Sequence, residues 1–188
     1  MIFTFIATIL SALFYQNVVL TKTALTEDSL KDETRIVPVL KYSGCVSLFT
    51  LVIFLVSYPI YQYGLKPFDL GYFNYLLVVL LMVGLHALIT YLLNKKNKDQ
   101  YKELISNMIL NSAVIFITLM SYQENSFLSA LAVVLGSLLG YMGVMVLLTT
   151  IQVRLKTAPD SLVIKGLPML LIILGVMAVA FRGLAGIF

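Results

Sequence analysis

Gly136-Ser-Leu-Leu-Gly140-Tyr-Met-Gly143 opens the stretch that decides the fold, and the stretch closes on GLPMLLIILGVMAVAFRGLAGIF (Gly166–Phe188). No charged residue falls between Phe127 and Val153, and none between Gly166 and Phe181. At about 1.5 Å rise per residue, about 20 such residues cross a hydrocarbon core about 30 Å thick. The stretch therefore predicts two membrane helices joined by the polar segment Lys156–Lys165. Gly136 and Gly140 give the first helix a small-xxx-small face along which another helix can approach closely. The same spacing also arises by chance in apolar helices.

Working outward, charges punctuate the rest of the chain in the same way. Further apolar runs lie from Met1 to about Thr21, between Lys41 and Lys66, between Asp69 and Lys95, and between Glu103 and Glu124. Each is long enough to cross a bilayer straight or tilted. Met1–Leu20 lacks a positive n-region and a clear small-residue cleavage site, so it reads as a retained span rather than a signal peptide. Composition agrees: 60% of residues are hydrophobic and 12% charged. A soluble domain carries about 25% charged residues. The expected fold class is an all-α membrane protein with six transmembrane helices arranged as two inverted three-helix repeats.

Lys and Arg set the orientation. Lys22, Lys31, Arg35 and Lys41 flank the first loop, Lys95, Lys96, Lys98 and Lys102 the third, and Arg154, Lys156 and Lys165 the fifth. Only Lys66 and Arg182 fall on the other side. The positive-inside rule then puts the odd loops in the cytoplasm and both termini outside, in the cytoplasmic membrane of a bacterium or archaeon. Arg182 reads as an anchor at the outer interface. The net charge of +4 thus reports topology, and lipid, not nucleic acid, is the expected partner.

An internal repeat is legible. Leu76-Leu-Val-Val-Leu-Leu-Met-Val83 resembles Leu170-Leu-Ile-Ile-Leu-Gly-Val-Met177, and the same offset of 94 residues carries Asn17 onto Asn111. Three spans separate the copies, so the halves, about residues 1–94 and 95–188, have opposite orientation in one transmembrane domain. Inverted repeats place working sites near the midplane where the halves meet. An amide in hydrocarbon must find partners. Asn17 and Asn111 are therefore expected to face protein, either as glue between helices or as caps of broken helices at a central site. Ser106, Asn107 and Ser112 make span four the most polar of the six.

Other chemistry is sparse. His86 lies within span three, where an imidazole serves either as a proton relay or as a hydrogen-bonded structural group. Glu27, Asp28, Asp32 and Glu33 read as a solvated loop, and Asp160 after Pro159 as a turn. Cys45 is the only cysteine, which excludes an internal disulfide and a Cys-only metal cage, and it reads as a small packed apolar residue. No nucleophile–base pair, phosphate loop or metal-ligand spacing is present.

Several stretches resemble the Rnf-Nqr family of paired membrane subunits, on its RnfA/NqrE side. Asn17-Val-Val-Leu-Thr-Lys22 is similar to the family's N-F-V-L-V-K, Lys31-Asp-Glu-Thr34 to K-L-E-T, and Asn111-Ser-Ala-Val114 to N-C-A-V. Toward the end, Ile151-Gln-Val-Arg-Leu155, Lys165-Gly-Leu-Pro168, Gly175-Val-Met-Ala178 and Ala180-Phe-Arg-Gly-Leu-Ala-Gly186 are similar to I-R-E-R-L, F-K-G-L-P, G-L-M-A and A-F-M-G-F-S-G. The resemblance implies a six-helix subunit of a complex that couples electron transfer to sodium or proton movement. It implies partners: a homologous subunit of inverted topology, or a second copy of the chain, and further redox subunits.

The departures matter as much. The resemblance implies a [2Fe–2S] cluster held by two cysteines from each of two paired subunits. Here the segment between Lys22 and Lys31 is shorter than the family's and lacks its L-C-P motif, and Ser112 stands where the second cysteine would be. The expectation is a membrane subunit, non-catalytic by itself, that has lost the cluster. The alternative is a transporter or scaffold that kept the helices and has no redox role.

Overall fold

The computed structural model describes residues 2–14, 16–22, 36–95, 111–156 and 167–183. Every regular element among them is helical. Helix α1 (Ile2–Phe14) is followed by the short α2 (Val18–Lys22), then α3 (Ile36–Ile60) and α4 (Asn74–Lys95). Helices α5 (Ser112–Ser121), α6 (Phe127–Lys156) and α7 (Leu167–Arg182) complete the order. Three helical stretches, Ile36–Phe68, Gly71–Leu93 and Phe127–Arg154, are long and apolar enough to cross a membrane. The segments Phe3–Phe14, Ser112–Ser121 and Pro168–Arg182 are shorter apolar helices.

The first span departs from expectation. Met1–Thr21 is not one unbroken crossing, because helix α1 stops at Phe14 and α2 starts afresh at Val18. Thirteen residues rise only about 20 Å, short of a bilayer core. The cause is local. The last turn of α1 widens, with Gln16 N–H donating to Ser11 O at 2.9 Å, and the Asn17 side chain takes the N–H of Val19 at 3.1 Å. A side chain that competes for backbone donors ends a helix and begins another.

Helix α3 starts before Lys41, at Ile36, with Pro38 in its first turn, where a missing N–H costs no intrahelical bond. Pro59 sits one residue before the helix end and cannot donate to the ladder. The chain there relaxes into a π-turn over Tyr61–Leu65 and a 3₁₀ turn over Lys66–Phe68. Asp69, at φ 56°, then reverses direction in the left-handed region. A second 3₁₀ turn, Gly71–Phe73, leads into α4.

Helix α6 is the pivot of the packing. It touches α1, α2, α3, α5 and α7. Gly136 and Gly140 face α1: a methyl group built on Gly136 would collide with the Ile9 carbonyl and stand 2.8 Å from the Ala12 Cβ. The small-xxx-small face is thus occupied from within the chain. The opposite case is Gly143, which has open space around it. Val134, Tyr141, Val144 and Leu148 of α6 join Val46, Ile53 and Phe54 of α3 and Val114 and Ile117 of α5 in one core.

Buried hydroxyls in this core are satisfied mostly by their own helices. Thr50 donates to Val46 O at 2.7 Å, Thr118 to Val114 O at 2.8 Å and Thr149 to Met145 O at 2.9 Å. Such back-bonding lets polar residues sit inside an apolar bundle without orphaned groups. Rings pin one end: Tyr61 stacks on Tyr122 at 4.3 Å, and Phe54 on Phe127 at 5.8 Å. Large apolar residues remain exposed on α3 (Leu48, Val52), α4 (Leu76, Leu80, Val83) and α7 (Val176, Val179). Exposed apolar side chains along helices of membrane-spanning length suit hydrocarbon.

Candidate functional site

Two buried amides stand where two helices begin. Asn17 and Asn111 are both fully buried. Each is the residue immediately before a short helix, and each side-chain oxygen accepts from the backbone N–H two residues on. Val19 N–H donates to Asn17 Oδ1 at 3.1 Å, and Ala113 N–H to Asn111 Oδ1 at 2.9 Å. Asn111 has the extended backbone of an N-cap, φ −77° and ψ 103°. Asparagine is among the best residues for this task, and the bond is worth about 0.5–2 kcal/mol. Water cannot satisfy these donors inside hydrocarbon, so the side chains must.

The two amide nitrogens find different partners. Asn17 Nδ2 donates to Leu13 O at 3.0 Å, tying the start of α2 to the end of α1. The Asn17 backbone carbonyl in turn takes the Thr21 hydroxyl at 2.8 Å. Asn111 Nδ2 instead donates to the Tyr141 hydroxyl on α6 at 3.2 Å. Beside Tyr141, a methyl built on Gly140 would lie 2.6 Å from Asn17 Nδ2 and 2.7 Å from Leu13 O. Only a glycine lets α6 pass so close to the first break. Consecutive residues of one helix, Gly140 and Tyr141, therefore meet both asparagines. Helices α2 and α5, which the two residues cap, also touch each other.

Ser112, the first residue of α5, is half-buried beside Asn111. His86 stands apart, within α4. Its Nε2 lies 3.2 Å from the Thr90 hydroxyl one turn on, while its Nδ1 is buried with no hydrogen-bond partner among the described residues. Cys45, expected to pack as a small apolar residue, is instead exposed, because its position on α3 faces away from the core that Tyr42, Val46 and Phe49 join. Among the described residues no three His, Cys, Asp or Glu side chains come together as a metal site would require. Ser106, Asn107, the acidic residues Glu27, Asp28, Asp32 and Glu33, and the Pro159–Asp160 turn lie outside the described residues.

Tyr141 is the member of the site that sequence reasoning did not single out. Its hydrogen bond spans 30 positions, and no short-range pattern announces such a contact. The signal available was its place directly after Gly140 in a charge-free run.

Residues 5–188 match the family described as Rnf-Nqr subunit, membrane protein. The chain is similar to the A-type subunit of the Na(+)-translocating ferredoxin:NAD(+) oxidoreductase complex of Acetobacterium woodii, with 27% identity over 97% of each chain. It is also similar to the A-type subunit of the ion-translocating oxidoreductase complex of Shewanella sediminis, at 27% identity over 71% of each chain. The corresponding subunit of an Azoarcus species is 28% identical over 77% of each.

Proposed function

Because this chain belongs to the Rnf-Nqr family of membrane subunits, we propose that it serves as the A-type membrane subunit of an ion-translocating oxidoreductase complex. One observation carries the reading. The similarity runs from residue 5 to residue 188, through both asparagine-capped helix starts, and covers 97% of the Acetobacterium woodii subunit. The whole scaffold is shared, rather than one apolar helix. In this reading the chain is not catalytic by itself: it contributes a membrane path or frame, and partner subunits carry the redox chemistry.

The scaffold we propose has six crossings in two inverted halves, about residues 1–94 and 95–188. The 94-residue offset carries Val18, the start of α2, onto Ser112, the start of α5. It carries Asn74, the start of α4, onto Pro168, the second residue of α7. It carries α3 onto residues 130–154, inside α6. Contacts follow the same exchange: α4 touches α5 as α7 touches α2, α3 touches α5 as α6 touches α2, and α3 touches α4 as α6 touches α7. Broken helices at the interface between such halves are the usual place for an ion path. Asn17, Asn111 and Ser112 are the residues we assign to that interface, and His86 is the intramembrane relay candidate on α4. Both termini face outward in this arrangement, as the Lys and Arg distribution favours.

The test is to tag the chain in its native host and solubilise the membranes in mild detergent. Recovery of a second, homologous membrane subunit together with redox subunits supports the assignment. Recovery of the chain alone or as a homodimer, with ion-coupled oxidoreductase activity untouched by deletion, contradicts it.

A further inference from the structure

We infer that this chain holds no iron–sulfur cluster of its own, and that the junction of its two asparagine-capped helix starts is closed by side-chain hydrogen bonds instead. The inference rests on the assignment to an oxidoreductase complex, where a cluster in the membrane subunits is the group to be tested for fit. Iron–sulfur clusters are held by thiolates, four in a [2Fe–2S] centre of the common type. The chain has one cysteine, Cys45. Ligands must converge on one point, yet Cys45 is exposed on α3 while Asn17 and Asn111 are wholly buried. Ser112, at the N-terminus of α5, offers only a hydroxyl, a harder and poorer ligand for such iron than a thiolate. Two copies of the chain would bring two thiols, both from Cys45, half of what the centre takes. The donor set does not fit the group.

The same atoms explain how the place is filled. Asn17 uses its oxygen on Val19 N–H and its nitrogen on Leu13 O. Asn111 uses its oxygen on Ala113 N–H and its nitrogen on the Tyr141 hydroxyl. Gly140 brings the backbone of α6 into contact with the Asn17 amide, leaving no room there even for a methyl group. Ala113, in the first turn of α5, has no exposed surface. Oxygen and nitrogen of both amides are thus engaged within the chain. An iron–sulfur cluster in the membrane part of the complex would have to take its thiolates from partner subunits.

Two measurements test the two halves of the inference. The first is iron and acid-labile sulfide in the anaerobically purified chain and in the complex it recovers, with EPR of the reduced samples. The chain should carry substoichiometric iron, unchanged by Cys45→Ser or Ser112→Ala. Stoichiometric iron with a [2Fe–2S] signal that is lost in either variant would overturn the inference while leaving the place of the chain in the complex intact. An iron-free chain that recovers no partners would overturn that place instead. The second is the rate at which Ala113→Cys, made in the Cys45→Ser background, reacts with N-ethylmaleimide in folded protein. Because the thiol must wait for local opening, it should react on the order of tenfold or more slowly than Tyr63→Cys in the same background. Equal rates would show an open junction.

Discussion

At the scale of single residues, the asparagine caps do work that solvent does elsewhere. In water an uncapped helix start is hydrated, and a lost cap costs about 1 kcal/mol. Inside the bundle no water takes over, so Asn17→Ala and Asn111→Ala should each lower the thermal midpoint in detergent. Asn111→Ala also removes a donor to the Tyr141 hydroxyl, and Tyr141→Phe takes the acceptor from one N–H of Asn111. Leaving a buried donor unpaired costs about 1–3 kcal/mol, so Tyr141→Phe should destabilise even though it removes a single oxygen. An unchanged midpoint for both Asn111→Ala and Tyr141→Phe would mean that the 3.2 Å bond contributes nothing. The paired asparagines were visible in the sequence, because a fixed offset exposes them. Tyr141 was not, since a tyrosine in an apolar run looks the same whether it meets lipid or an amide.

At the scale of elements, the decisive contact is α1 against α6. The closeness at Gly136 and Gly140 leaves no space for a side chain, whereas Gly143 faces open space. Gly140→Leu should therefore push α1 and the Asn17 turn away from α6, with loss of folded yield. Gly136→Ala should do so more mildly, and Gly143→Ala should leave yield and thermal midpoint unchanged. Equal tolerance at all three positions, read by size-exclusion chromatography of detergent extracts, would sink the packing argument. The spacing of the glycines told where a close approach was possible, but not that the visitor was the chain's own first helix. Periodicity was silent for the same reason that hydrocarbon suits these helices: they are apolar nearly all round. The long charge-free runs that became α3, α4 and α6 were legible from length alone. The break in the first span was legible only as one of two readings of Asn17, because one amide among about 20 apolar residues barely alters hydropathy, yet its oxygen ends a helix.

At the scale of the whole molecule, the arrangement we propose is two sets of helices exchanged by a 94-residue offset around α3, α6 and the two asparagine-capped helix starts. With an odd number of crossings per half, the halves we propose are antiparallel, and the Lys and Arg distribution favours odd loops on the cytoplasmic side. Single cysteines introduced as Gln62→Cys, Glu124→Cys, Lys98→Cys and Lys156→Cys, in the Cys45→Ser background, report this arrangement directly. In intact cells a membrane-impermeant thiol reagent should label Gln62→Cys and Glu124→Cys, and should reach Lys98→Cys and Lys156→Cys only after the membrane is opened. Labelling of Lys98→Cys or Lys156→Cys from outside, in cells that also label Gln62→Cys, would contradict the inverted six-crossing arrangement.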